Sequence, residues 1–305
     1  MKILIAGGAG SLGINLANFL SESHKIIIID NFSSNVVSKE FIKNFKFYDL
    51  DISNYSKLKK IFDTEKPEIV INSAASYSDP NNWNRDISTN LLGTVNLLKL
   101  SESVDLHKFI YFQTTNCYGD TEKKILSEND PNFPSNSYAI SKVAGEDYLK
   151  NSSINCISLR LCTIYGPFHF NGPIPIFYNN LINSKTSKIV KSKRNFLHMS
   201  DFLKLIELVI SKDIGSSHIF NVSSNQLINI EDIYHNISRI LKIKKSKYNI
   251  IGKPDEDIKS VNLSIKKISK FYNWKPQISF EKGLEMQIQW YENNDFLIQK
   301  SHLKI

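Results

Sequence analysis

Through the first half of the chain, short and nearly unbroken apolar runs alternate with longer stretches whose apolar residues recur every three or four positions. The runs are KILIA (2–6), KIIIID (25–30), FKFYD (45–49), EIVINSAA (68–75), KFIYFQTT (108–115) and INCISLRL (154–161). Val- and Ile-rich runs of this length predict strands buried on both faces, as in a parallel sheet. SLGINLANFLSES (11–23) and residues 53–63, 83–103 and 137–150 predict amphipathic helices between them. Strand–helix alternation predicts an α/β fold, a Rossmann-type doubly wound parallel sheet with right-handed crossovers.

The pattern breaks after residue 162. YGPFHFNGPIPIF (165–177) carries three prolines and two glycines and predicts a shaped loop. Short strands at 189–191, 219–222 and 259–263 then mix with helices at 200–211, 229–242, 264–272 and 280–293. We expect residues 1–165 to form the doubly wound domain, with a strand and a helix returning to it from about 195–225. Residues 166–305 are expected to form mainly a smaller C-terminal α/β substrate lobe.

Composition adds exclusions. The 305 residues are 41% hydrophobic and 22% charged, as in an ordinary globular enzyme. No apolar run approaches the roughly 20 residues of a membrane span. The N-terminal MKILIAGG is too short for a secretory apolar core of roughly 7–15 residues, so a cytoplasmic protein with no membrane partner is expected. Cys117, Cys156 and Cys162 are odd in number and lack metal spacing; no metal site is expected. The net charge of +8 is spread over scattered lysines apart from SKIVKSKR (187–194). Aromatic-basic platforms are missing, so an anionic small substrate is expected rather than nucleic acid.

GGAGSLG brings Gly7, Gly10 and Gly13 between the first strand and the first helix, with Ser11 and Leu12 at the helix start. A tight turn, a close approach of backbone to a pyrophosphate and close packing of helix on sheet each disfavour a Cβ. The helix N-terminus offers free N–H groups to phosphate. Asp30, 17 residues after Gly13, ends the second strand and can accept both ribose hydroxyls. Its carboxylate repels a 2′-phosphate, and Asn31 and Ser33 offer no cation, so NAD is expected rather than NADP.

Taken in order, AGGAGSLG, IIIIDNFSSN, DLDISN, NSAASY, TNLLGTVNLL, YFQTTNCYGD, SYAISK, LRLCTIYGP and RNFLHMSD resemble the motifs of extended short-chain dehydrogenase/reductases. The resemblance is to the NAD-dependent nucleotide-sugar epimerase/dehydratase family and runs from residue 1 to about 291. SAASYSDPNNW and GPIPIF are similar to epimerase-like enzymes of bacterial surface-polysaccharide biosynthesis. The resemblance implies that Asp51 and Ile52 flank the adenine and that Ala74 and Ala75 let the backbone pass close to the cofactor. Asn90 would brace the active-site backbone, and Thr114 would orient the sugar. Tyr138 and Lys142 would form the catalytic pair, also touching the cofactor. Arg194 would grip the substrate diphosphate, and Tyr77, Thr115, Asn116, His169 and Asn171 would face the substrate. Thr163 stands where many relatives carry an asparagine, and Gln113 where a serine is common. Relatives pair the helices at 83–103 and 137–150 across a two-fold axis. A homodimer is implied, through the stripes Leu91, Val95, Leu98 and Val143, Tyr148.

A free phenol, with a pKa near ~10, is a poor base at neutral pH. Lys142 lies one helical turn from Tyr138, and its ammonium is expected to lower the phenol's pKa. Tyr138 then takes a proton from a sugar hydroxyl as hydride leaves the same carbon. A 4,6-dehydratase needs further titratable groups, an Asp-Glu pair at 115–116 by resemblance. Thr115 and Asn116 cannot supply them. That leaves oxidation of one carbon, C4. The expected outcome is a nucleotide-sugar 4-epimerase, the alternatives being a C4 dehydrogenase that releases a keto sugar or a non-catalytic NAD-binding module.

Overall fold

The computed structural model describes residues 1–34, 36–77, 79–215, 217–244, 247–252 and 261–294. The apolar runs become β1 (Lys2–Ala6), β2 (Lys25–Asp30), β3 (Lys46–Asp49), β4 (Ile69–Asn72), β5 (Lys108–Thr114) and β6 (Cys156–Leu161). The periodic stretches become α1 (Ser11–Leu20), α2 (Tyr55–Glu65), α3 (Trp83–Asp86), α4 (Gly93–Ser101) and α5 (Ser137–Lys150). With β10 (His218–Val222) the strands form one parallel seven-stranded sheet in the order β10-β6-β5-β4-β1-β2-β3.

Side chains alternate across this sheet, and both faces are covered. Ile3 and Ile5 of β1 enter the core beneath α1 and α7 (Met199–Ser211), whereas Leu4 and Ala6 enter the core beneath α2 and α4. All four are fully buried, which is why β1 reads as one continuous apolar run. β1 pairs with β2 on one side and β4 on the other, so strand order reverses there. Ligands bind open α/β sheets outside the carboxyl ends of strands at such a switch point.

The smaller lobe is built from β7 (Thr163–Tyr165), α6 (Pro173–Ile182), β8 (Ser187–Val190), β9 (Lys193–His198), β11 (Leu227–Asn229), α8 (Ile230–Ile240), β12 (Tyr248–Ile251) and α10 (Phe280–Asn293), whereas α9 (Lys266–Tyr272) returns to pack on β10 of the large sheet. β11-β9-β7 form one small sheet and β12-β8 another. Tyr165, Phe177, Phe196, Tyr234, Phe280 and Tyr291 fill its core.

Several expectations change. The predicted loop 165–177 gives way to a helix at Pro173, where proline needs no hydrogen-bond donor in the first turn. Residues 83–103 contain a π-helical segment, Ile87–Leu92, between α3 and α4. β9 lies within a stretch too polar to read as a strand, and β12 was not anticipated. Of the predicted strand 259–263, Lys259 and Ser260 lie outside the described residues, and Leu263 makes an isolated bridge to Leu126. Leu98 and Val143, expected on a dimer face, pack instead into the chain's own cores. Among the described residues no helix is long and apolar enough to cross a membrane.

Candidate active site

The glycine turn sits at the switch point. Gly7 has φ +76°, and a Cβ there would lie 2.6 Å from the Ala74 nitrogen. A Cβ on Gly13 would lie 2.1 Å from the Gly7 oxygen. These two glycines are required by the fold itself. Gly10 differs: it has an ordinary extended conformation (φ −78°, ψ 172°), and a Cβ there would meet just the Gly7 oxygen, at 3.3 Å. Gly10 precedes α1 as its N-cap, and no side chain caps that helix. Ser11, Leu12 and Gly13 therefore present a backbone N-terminus to a phosphate, without a Cβ at Gly10 to obstruct it.

Asp30 is buried at the end of β2, its two oxygens accepting hydrogen bonds from the Ala9 nitrogen (2.9 Å) and the Phe32 nitrogen (2.7 Å). Each oxygen keeps a lone pair for a ribose hydroxyl. Burial raises its pKa, opposed by those two N–H groups. Asn31 donates to Asp51 at 2.7 Å and accepts from the Ser33 nitrogen, which ties the loop after β2 to the loop after β3. Ile52 is buried beside Gly93, where a Cβ would approach within 2.5 Å. Ala74 lies over Gly7, and Ala75 is exposed beside it. These residues fit a dinucleotide: uncapped N–H groups for the pyrophosphate and a buried carboxylate for the ribose.

Tyr138 and Lys142 occupy one face of α5, a turn apart. The Tyr138 hydroxyl is hydrogen-bonded to the Thr114 hydroxyl at the carboxyl end of β5. Thr114 also accepts from the Asn116 nitrogen, which opens the short 3₁₀ turn Thr115–Tyr118. Lys142 is fully buried, with Nζ 3.9 Å from the centre of the Tyr111 ring. Burial raises the Tyr138 pKa above the ordinary phenol value, against the opposing hydrogen bond from Thr114. Burial also lowers the Lys142 pKa to about 7, so the amine lends the phenol less positive charge than spacing along the helix implies.

A second layer fixes these groups. Gln113 donates to the Lys142 carbonyl at 2.8 Å and accepts from the Thr114 nitrogen at 2.7 Å, linking the strand end to α5. Asn90, in the π-helical segment, accepts from the Ser76 nitrogen at 2.8 Å and donates to the Ser76 carbonyl at 2.9 Å and to Ser141 at 3.0 Å. It holds the loop after β4 against α5. The Ser76 hydroxyl donates to the buried carboxylate of Asp86 at 2.8 Å. Ser76 and Asp86 carry no motif of their own; Asp86 is visible in sequence just as one more polar position on a helix.

The sugar side joins residues from distant segments. The Tyr77 ring stands 6.0 Å from that of Tyr138, and the Asn171 amide donates to the Tyr77 hydroxyl at 2.6 Å. The loop after β4 therefore meets the Gly/Pro segment above the candidate catalytic tyrosine. His169 is buried behind Asn171, and burial pushes its pKa down to about 4. Its carbonyl accepts from Tyr291 at 2.5 Å. Thr163 starts β7, and Arg194 lies on β9, so both belong to the lobe beside the sheet. The three cysteines are free and buried.

Residues 3–223 match the profile of the NAD dependent epimerase/dehydratase family. A dTDP-D-glucose 4,6-dehydratase of Dictyostelium discoideum is 31% identical over 364 aligned positions, covering 96% of this chain and 82% of that protein. The Bordetella bronchiseptica enzyme WbmG, solved with NAD and UDP, superposes with a TM-score of 0.92 at 32% identity, covering 100% of this chain and 99% of that one. A UDP-glucose 4-epimerase of Thermotoga maritima, solved with UDP-glucose, gives a TM-score of 0.90 at 25% identity, covering 97% and 100%. The chain therefore belongs to the NAD dependent epimerase/dehydratase family, with NAD the cofactor that its glycine turn and Asp30 fit.

Proposed function

We propose that the protein is a nucleotide-sugar 4-epimerase of bacterial surface-polysaccharide biosynthesis. Bound NAD supplies the acceptor and donor of hydride. The Tyr138 Oη takes the proton of the sugar C4 hydroxyl and later returns it to the ketone oxygen. The Thr114 hydroxyl orients that oxygen, and the Lys142 ammonium, when protonated, favours the phenolate. Residues 1–165, with α7 and β10, hold the cofactor. The remaining lobe holds the nucleotide diphosphate, with Arg194 as its guanidinium partner. Tyr77, His169 and Asn171 line the sugar side. UDP is the nucleotide we favour, because both solved neighbours above carry UDP or a UDP-sugar.

The observation that carries this reading is the Tyr138–Thr114 hydroxyl pair flanked by Thr115 and Asn116, neither of which titrates near neutral pH. Oxidation at one carbon needs the pair; dehydration needs more. We further propose a homodimer. Trp83 (65% exposed), Ile87, Leu92, Ile140 and Tyr148 leave apolar side chains outside the chain's cores along residues 83–101 and α5. NAD-loaded protein should be incubated with UDP-sugars in deuterated water and followed by NMR. C4 inversion with no deuterium at C5, lost by at least about a thousandfold in Tyr138→Phe, is expected. Deuterium at C5 with loss of the C6 oxygen, or unchanged turnover in Tyr138→Phe, refutes the proposal.

A further inference from the structure

We infer that Glu146 and Arg160 are positioning residues for Lys142: a buried ion pair that anchors the helix bearing Tyr138 and Lys142 and keeps a negative charge beside the Lys142 amine. The inference rests on the epimerase reading insofar as Lys142 is the amine which that reaction uses.

Tyr138, Lys142 and Glu146 follow at four-residue steps on α5 and so share one face. Glu146 is wholly buried. Its carboxylate accepts from Arg160 through NH2 (2.6 Å) and Nε (3.2 Å), and from the Ser158 hydroxyl at 2.7 Å. Arg160, on β6, is 2% exposed and donates through NH1 to the Tyr118 hydroxyl at 2.9 Å. Tyr118 closes the 3₁₀ turn that follows Thr114 and donates to Asn221 of β10 at 2.7 Å. One buried chain of charge-assisted hydrogen bonds thus joins the helix of Tyr138 and Lys142 to the turn of Thr114. A two-pronged guanidinium–carboxylate contact resists rotation as well as translation.

The pair also sets charge. Facing Lys142 are Tyr138 and Glu146 on α5 and the Tyr111 ring on β5; Arg160 of β6 lies behind Glu146, and half-exposed Lys150 approaches Glu146 to 3.9 Å from the solvent side. Burial drives the amine toward its neutral form, and Glu146 is the group that opposes this. Arg160 cancels part of the Glu146 field. Removing Glu146 and removing Arg160 should therefore move the Lys142 titration in opposite directions, which simple loosening of the helix would not do.

The test is a pH titration of the full chain labelled with 13Cε-lysine, the Lys142 resonance being assigned by its loss in Lys142→Arg. Glu146→Gln, which is isosteric, should lower the Lys142 midpoint by at least about half a pH unit. Arg160→Gln should raise it by a similar amount. Midpoints that match the wild type, or that move the same way in both variants, overturn the inference. If Glu146→Gln does not fold, Arg160→Gln decides alone: a rise supports the pair's role and no rise overturns it. The titration uses no sugar nucleotide. Failed epimerisation with opposite shifts would count against the proposed reaction and leave this inference standing.

Discussion

Replacing Lys142 with methionine, of similar length and without charge, is expected to stabilise the ligand-free protein near pH 6, with the gain fading as pH rises from about 7 toward 10.5. Burial holds the Lys142 pKa near 7 in the folded chain, far below its ordinary value of 10.5. Between those values the unfolded chain binds more protons than the folded one, so this group adds stability as pH rises through the window. Below about 7 both states are protonated, and the folded chain carries the full cost of a buried ammonium. Each pH unit of the window corresponds to about 1.4 kcal/mol, giving a ceiling of roughly 5 kcal/mol. Relaxation around the site should leave about 3 kcal/mol of pH-dependent difference. The ammonium's contact with the Tyr111 ring lasts only while Lys142 is charged, so its loss in methionine, about 1–2 kcal/mol, falls at the low-pH end and trims the difference there. Urea denaturation of both proteins across the window measures this, and groups shared by the two cancel in the difference. A stability difference that is flat between about pH 6 and 10.5 would falsify the claim that burial suppresses the Lys142 charge.

Gly10→Ala should leave the ligand-free protein's urea midpoint almost unchanged, since its backbone suits alanine and just the Gly7 oxygen lies near, at 3.3 Å. The same change should weaken NAD binding by at least about tenfold in calorimetry. Gly13→Ala should lose both stability and binding, because its Cβ would fall 2.1 Å from the Gly7 oxygen; equal effects of the two changes would mean that Gly10 faces no ligand. Asn90→Ala strands the Ser76 nitrogen and carbonyl and takes one donor from the Ser141 hydroxyl, which still donates to the Tyr138 carbonyl, and should cost about 2–4 kcal/mol by denaturation. A loss under about 0.5 kcal/mol would show that the loop after β4 does not depend on this amide.

What the sequence disclosed were features set by neighbours in the chain. β1 and β2 are buried on both faces, so their apolar runs are unbroken, and the glycine turn and Asp30 follow from local spacing. α6 was hidden because Pro173, Pro175 and Gly172 read as loop chemistry, although proline is at home in a first helical turn. β9 was hidden because Lys193, Arg194 and Asn195 interrupt its alternation; its register comes from β7 and β11, distant in sequence. The charge of Lys142 was misjudged for the same kind of reason. Spacing along α5 placed an ammonium one turn from a phenol. What decides its protonation is burial beneath the packing on β5, where the Tyr111 ring lies 31 positions earlier, opposed by the charge of Glu146.

Overall similarity does not separate the family's reactions, since the chain resembles a dehydratase at 31% identity and a solved 4-epimerase at 25%. The distinction has to come from side-chain chemistry beside the Tyr138–Thr114 pair. Removing a proton from carbon and expelling a hydroxyl each call for a group that can hold a proton near neutral pH and reach the sugar. Thr115 and Asn116 open the turn after Thr114 and have no such capacity. Asp86 has the right chemistry, but it is 1% exposed and engaged by the Ser76 hydroxyl, so its carboxylate acts on Tyr138 through its field rather than by contact with a substrate. That negative field raises the phenol's pKa, as does burial. Burial thus favours the protonated tyrosine, and the proposed oxidation of a sugar hydroxyl would depend on positive charge brought to Tyr138 by a protonated Lys142 and by NAD⁺.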